Sequence, residues 1–197
     1  MPVKIPEREY RAFQAEYSLD DANESALIIR GTPVVFDTPT MLCEIEGVKY
    51  YEQICRGAFD GTDMSDFIFN VNHEMTPYAR SKNGSLKYEI KDGFEIEARL
   101  DPSDERHRQL YGDIKSGRID KMSFSFTIAD DGFEYDENTH LRKITRVKKL
   151  YDVSAVTFPA YQQTSISARG FFEEEFRKEF EHMEYERRRK IYLKSLT

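Results

Sequence analysis

The chain predicts an α+β protein, with strands through Val156 and a long helix after it. Three observations carry this. Apolar residues alternate with polar ones in Leu86–Ile90, Phe94–Leu100 and Met122–Ala129, the period-two signature of half-buried strands. Glycine- and aspartate-rich breaks separate those segments. Phe172, Phe176, Phe180 and Met183 then fall on a single helical stripe.

In chain order, residues 1–9 read as a loose polar start, and Tyr10 to Tyr17 alternates weakly. Leu27 to Phe36 is a stronger strand, broken by Gly31 and Pro33. Residues 37–66 are ambiguous apart from a short strand at Tyr50–Ile54. Phe67 to His73 (FIFNVNH) reads as a strand. Leu86–Ile90 and Phe94–Leu100 form a hairpin around Asp92-Gly93, which suits a tight primed turn because glycine tolerates positive φ. A helix follows, with Asp101 as cap, Pro102 in its first position, Leu110, Tyr111 and Ile114 as its apolar stripe, and Gly117 at its end. Met122–Ala129 is a strand, Asp131-Gly132 a turn, and Leu141 to Val156 one long strand after a loop at Asp136–Thr139. Phe171–Leu193 reads as a long amphipathic helix, acidic at its start and basic at its end as the macrodipole favours. The expected division is a β-domain over 1–165 and a helical extension over 166–197.

Bulk properties exclude several classes. With 197 residues, 39% of them hydrophobic and 13% aromatic, the composition is globular, and the length allows a substantial core. A net charge of −7 argues against a phosphate-binding surface, so no nucleic-acid partner is expected. No run approaches the ~20 apolar residues that cross a bilayer, and the first residues (MPVKIPEREYRAF) lack a secretory signal's apolar stretch. No membrane partner is therefore expected, and a cytoplasmic setting is the default. Cys43 and Cys55 make no disulfide framework. Without H-x-x-x-H, C-x-x-C, G-x-S-x-G or a phosphate-cradling loop, neither metal nor cofactor is expected.

Chemistry concentrates on one strand. In KMSFSFTI, Met122, Phe124, Phe126 and Ile128 take one face, while Ser123, Ser125 and Thr127 take the other. The same row of hydroxyls would serve as a solvent-facing sheet side. Of four histidines, His107, His140 and His182 lie in polar surroundings, whereas His73 ends an apolar strand and opens onto a proline-containing loop. That is a place to hold a general base, and also a place for a structural histidine. Its phase coincides with Phe67, Phe69 and Val71, so the strand must bend or end before it, or that apolar face must lie under helices near the site. Asp152, mid-strand in LYDVSAV, needs a partner, for which an imidazole and Lys148 are both candidates.

Taken in order, the segments RGAF (56–59), VNH (71–73), GFEIEA (93–98), IKSGRIDKMSFSF (114–126) and DVSAVTFPAY (152–161) resemble the prohead proteases of tailed bacteriophages, capsid maturation peptidases related to herpesvirus assemblin. The resemblance covers roughly residues 27–165. It implies a mostly antiparallel, closed or nearly closed β-barrel surrounded by helices. It maps the catalytic pair onto Ser123 as nucleophile and His73 as general base and acid, with Asp152 orienting the histidine. Ser125 stands where many phage enzymes have glycine, which leaves it as an alternative nucleophile. The oxyanion loop has no clear counterpart, and the connector after Pro159 is the place to look. The implied function is serine endopeptidase action on scaffold segments of the major capsid protein precursor, and on itself, within a procapsid in the host cytoplasm. Self-association is expected, and no cofactor is needed. The rival is a non-catalytic assembly protein that docks through its C-terminal helix.

Overall fold

Strand register places the chemistry-bearing residues, and a computed structural model gives that register for residues 8–15, 17–20, 26–157 and 166–195. The first strands are β1 (Glu9–Gln14), β2 (Ser18–Asp20), β3 (Leu27–Val35), β4 (Thr40–Ile45), β5 (Val48–Ile54), β6 (Ile68–Val71) and β7 (Ala79–Arg80). β8 (Leu86–Ile90), β9 (Gly93–Leu100) and helix α1 (Glu105–Lys115) follow, then β10 (Lys121–Ile128) and β11 (Phe133–Asp136). β12 (Leu141–Ile144), β13 (Val147–Val156) and helix α2 (Ile166–Ser195) complete the set. The protein is thus α+β, mostly strand, with a helix at its C-terminal end.

The strands form three sheets, ordered β1-β10-β13-β6-β7, β11-β12-β5-β4 and β2-β3-β9-β8. Pairing is antiparallel except for β12 with β5 and β13 with β6. Each sheet keeps two edges, so strand pairing closes no barrel among the described residues. The two α-helices there do not make a surrounding shell.

The core lies between the sheets. Phe124 and Phe126 of β10 are fully buried, with Phe59, Phe67, Phe69, Phe94, Leu150 and Val153 around them. Phe59 and Phe94 stack at 5.2 Å, and Phe124 and Phe126 at 4.9 Å. β3 approaches β10 so closely that a Cβ on Gly31 would sit 2.5 Å from Met122 Sδ. Pro33 is tolerated in β3 because the ladder with β9 shifts register between Gly31 and Val34. The aromatic face of β10 is therefore anchored, which fixes the opposite face as well.

Several elements differ from the sequence expectation. The stretch Leu141–Val156 is two strands: β12 pairs with β5, whereas β13 crosses to the sheet of β10. The break comes at Thr145 and Arg146, whose N–H groups both donate to Gly132 O, at 2.8 and 3.0 Å. That contact from outside the strand, rather than a proline or glycine within it, ends β12. The ambiguous 37–66 region holds the β4–β5 hairpin, turned at Glu46 and Gly47 with φ of 49° and 83°. Gly93 is not among the positive-φ glycines. A Cβ there would meet Thr32 Cγ2 at 3.0 Å, so close packing rather than a primed turn accounts for it. The cap of α1 is Asp104 rather than Asp101, accepting from Arg106 N at 2.9 Å. The start is not loose where it is described: Arg8 is half-buried and Glu9 is 5% exposed.

Four buried charges tie β1 to the second sheet. Arg11 donates to Glu52 at 2.5 and 2.8 Å and to Glu9, while Arg142 donates to Glu9 at 2.9 Å. Glu9, Arg11, Glu52 and Arg142 are all buried, so the two cations and two anions balance within the core. Burial pushes the Glu9 carboxyl up, but Arg11 and Arg142 outweigh it and hold the group below its ordinary range. α2 docks by its first turns. Ala168 and Phe172 are fully buried, Phe172 beside Tyr50 at 5.1 Å, and Phe171 packs on Phe133 and Tyr135. The predicted stripe faces the protein only at its beginning, since Phe180 and Met183 are 52% and 59% exposed.

Candidate active site

β10 lies between β1 and β13, and its register puts Ser123 opposite Ser154 and Ser125 opposite Asp152. β6 on the far side of β13 adds Asn70 opposite Ser154. Paired residues share a sheet face, so all five lie on the face turned away from Phe124 and Val153. That face is not open to solvent: Ser123, Ser125 and Ser154 are 0% exposed and Asp152 and Asn70 are 1% exposed. Buried polar groups need partners, and here they partner one another.

His73 joins them through a backbone reversal. β6 ends at Val71, and Asn72 and His73 both adopt left-handed φ, of 50° and 60°. Such a pair without glycine costs on the order of 1–3 kcal/mol per residue and persists where surroundings enforce it. The enforcing bonds are visible. Asn72 N donates to Ala155 O at 3.1 Å, His73 N to Ser154 Oγ at 3.0 Å, and Glu74 N to Val71 O at 3.0 Å. Asn70 Nδ2 donates to Glu74 O at 2.7 Å, and Ser154 Oγ donates to Asn70 Oδ1. The turn moves His73 off the apolar phase of Phe67, Phe69 and Val71 and over the hydroxyl face.

Ser123, His73 and Asp152 come together there. His73 Nε2 is 2.7 Å from Ser123 Oγ, and His73 Nδ1 is 2.6 Å from Asp152 Oδ1. A carboxylate can only accept, so Nδ1 carries the proton toward Asp152 and Nε2 accepts from Ser123. Asp152 accepts from Ser125 Oγ and Arg8 on Oδ2, while Ser154 Oγ, whose proton goes to Asn70, stands 3.1 Å from Oδ1. Burial pushes its pKa up. The bonds and charge of His73, the Ser125 hydroxyl and the Arg8 charge together outweigh burial and hold it below the usual aspartate value. Its partners are His73 and Arg8, not Lys148.

Ser125 faces the same way as Ser123, as alternation expects, but its hydroxyl bonds Asp152 and Arg8 rather than an imidazole. The other three histidines lie elsewhere. His107 accepts from Asp101 N at 2.9 Å, His140 lies 3.5 Å from Glu179, and His182 sits on α2. Asn70, Ser154, Arg8 and Tyr10 were not singled out from sequence. An asparagine inside the otherwise apolar FIFNV was the available signal for the first, since a buried amide in a strand requires a bonding role. Arg8 carried no such signal. Residues 158–165, with the connector expected to hold oxyanion donors, lie outside the described residues. Among the described residues, no group of three or more His, Cys, Asp or Glu could hold a metal ion.

A nucleophile bonded to a base, itself bonded to a buried carboxylate, has the parts of a serine hydrolase site. No curated protein and no solved structure matches the chain. The family model described as caudovirus prohead serine protease matches residues 13–181, a span that contains Ser123, His73 and Asp152. Matched over most of its length, the chain belongs to the caudovirus prohead serine protease family.

Proposed function

We propose that this protease cleaves scaffold segments from the major capsid protein precursor, and cleaves itself, through an acyl-enzyme formed on Ser123. The observation that supports this best is the continuous bond chain from Ser123 Oγ through His73 to Asp152, at 2.7 and 2.6 Å. His73 Nε2 takes the Ser123 proton as Oγ attacks the scissile carbonyl. The same nitrogen returns the proton to the leaving amine, and water then reverses the sequence to release the acyl group. Asp152 keeps Nδ1 protonated and offsets the imidazolium charge as it forms. Backbone donors stabilise the oxyanion, a contribution of about 3–4 kcal/mol per donor in such sites. Ser125, whose lone pairs and proton are committed to Arg8 and Asp152, orients the carboxylate instead of attacking. The working place is the procapsid assembled in the host cytoplasm.

The test co-expresses the chain with its capsid precursor and follows cleavage, alongside fluorophosphonate labelling mapped by mass spectrometry. The expected result is processing by the wild type, none by Ser123→Ala, and label on Ser123. Unaltered processing by Ser123→Ala would overturn the assignment. Label on Ser125 would keep the reaction class and move the nucleophile. A precursor left intact by the wild type would favour the assembly-protein reading.

A further inference from the structure

We propose that Arg8 is a positioning residue of this active site, holding the outer oxygen of Asp152 directly and through Ser125 so that the inner oxygen stays aligned on His73. The proposal rests on the peptidase reading for its catalytic meaning and on geometry for its substance. Arg8 lies just ahead of β1 and before the family-matched span, which begins at residue 13.

Its guanidinium Nη2 donates to Asp152 Oδ2, and Nε and Nη2 donate to Ser125 Oγ at 2.9 and 2.6 Å. A guanidinium has no acceptor, so Ser125 must accept from Arg8 and send its own proton to Asp152 Oδ2. One cation thereby fixes the hydroxyl rotor and one carboxylate oxygen together. The guanidinium is itself held over the rings of Tyr151, at 4.6 Å, and Tyr10, at 5.5 Å. Tyr10 sits on the same side of β1 and meets the His73 ring edge-on at 4.7 Å. This is not an ordinary surface ion pair, because the Asp152 side chain is 1% exposed while that of Arg8 is 34% exposed.

The reason such a cation is needed follows from the resting state. While His73 is neutral, a buried carboxylate facing it would lack a counter-charge. The groups facing Asp152 are His73 after β6, Ser125 on β10, Ser154 on its own strand and Arg8 before β1, with Lys149 above the Tyr151 ring at 5.6 Å. Arg8 is the cation in direct contact, so it supplies a counter-charge that does not depend on a proton on His73.

The test uses the intact chain and the variants Arg8→Gln and Arg8→Lys. Carboxyl-carbon NMR follows the titration of Asp152, and the pH dependence of fluorophosphonate labelling follows the site. Arg8→Gln should raise the Asp152 midpoint by about one pH unit and move the acid limb of labelling the same way, with labelling about tenfold slower at neutral pH. Arg8→Lys keeps the charge, so the midpoint should stay low, while labelling falls only partway because one ammonium cannot span both contacts. An Asp152 midpoint and an acid limb unchanged in Arg8→Gln would overturn the proposal, even if labelling slowed. Failure of the wild type to label at either Ser123 or Ser125 would overturn the peptidase reading instead, and the Asp152 titration would still decide the role of Arg8.

Discussion

Asn72 and His73 are the residues on which the site turns, since their paired left-handed φ values redirect the imidazole from the core phase to the hydroxyl face. Period-two alternation assigned Ser123 and Asp152 to a face, but it could not tell a site from a solvated sheet side or Ser123 from Ser125, and the ordered motifs singled them out. His73 was legible as a residue but not as a position, because alternation cannot announce where a strand reverses. The clamp of Asn70 and Ser154 was missed for a related reason, as its bonds join β6 to β13 across 84 residues. Asp152→Asn should keep the fold but slow fluorophosphonate labelling by roughly 10⁴-fold, the scale of loss when the orienting carboxylate imposes the wrong tautomer. Ser154→Ala frees the His73 N–H and one face of Asn70. We expect labelling about tenfold slower and a thermal midpoint lowered by several degrees, corresponding to about 1–2 kcal/mol for unsatisfied buried groups. Labelling at the wild-type rate in either variant would show that these bonds do not position the imidazole.

At the scale of elements, the β8–β9 hairpin, α1 and β10 were readable from local pattern because each carries its own period and its own punctuation. β12 and β13 were not separable, since Thr145 and Arg146 are halted by a carbonyl on the preceding turn rather than by their own chemistry. β4 was hidden because none of its positions is buried, it being an edge strand that α2 contacts. For α2, helical periodicity gave the element and its stripe but not where packing stops. Phe172 is the anchor, fully buried beside Tyr50. Phe172→Ala should destabilise the protein by about 3–5 kcal/mol in urea unfolding, whereas Phe180→Ala, on the exposed part, should change it by less than about 0.5 kcal/mol. Equal effects of the two would mean that the whole helix is packed. Gly31→Val tests the closeness of β3 to β10. It drives a side chain into Met122 and should cost about 1–3 kcal/mol, with slower labelling because Met122 neighbours Ser123.

For the whole molecule, the quartet of Glu9, Arg11, Glu52 and Arg142 joins two sheets through charges that balance. Glu52→Gln leaves Arg11 undercompensated in the core and should cost about 3–5 kcal/mol. The folded-state pKa values of Glu9 and Asp152 are both depressed, so their contribution is complete above the ordinary values of 4.5 and 3.8 and is lost as pH falls through the lower folded-state values. Urea midpoints measured from pH 6 downward should therefore hold steady and then drop below about pH 4.5, with a shallower drop in Glu9→Gln. An equally steep drop in that variant would assign the acid sensitivity to other carboxylates. One feature of the site also bears on when the enzyme can act. Arg8 is separated from Asp152 by 144 residues, and His73 from Asp152 by 79. A ribosome emitting the chain in order delivers the base and the arginine long before the carboxylate and its strand. A nascent chain thus carries no assembled site until β13 has emerged, and on the proposed mechanism cleavage waits for that strand.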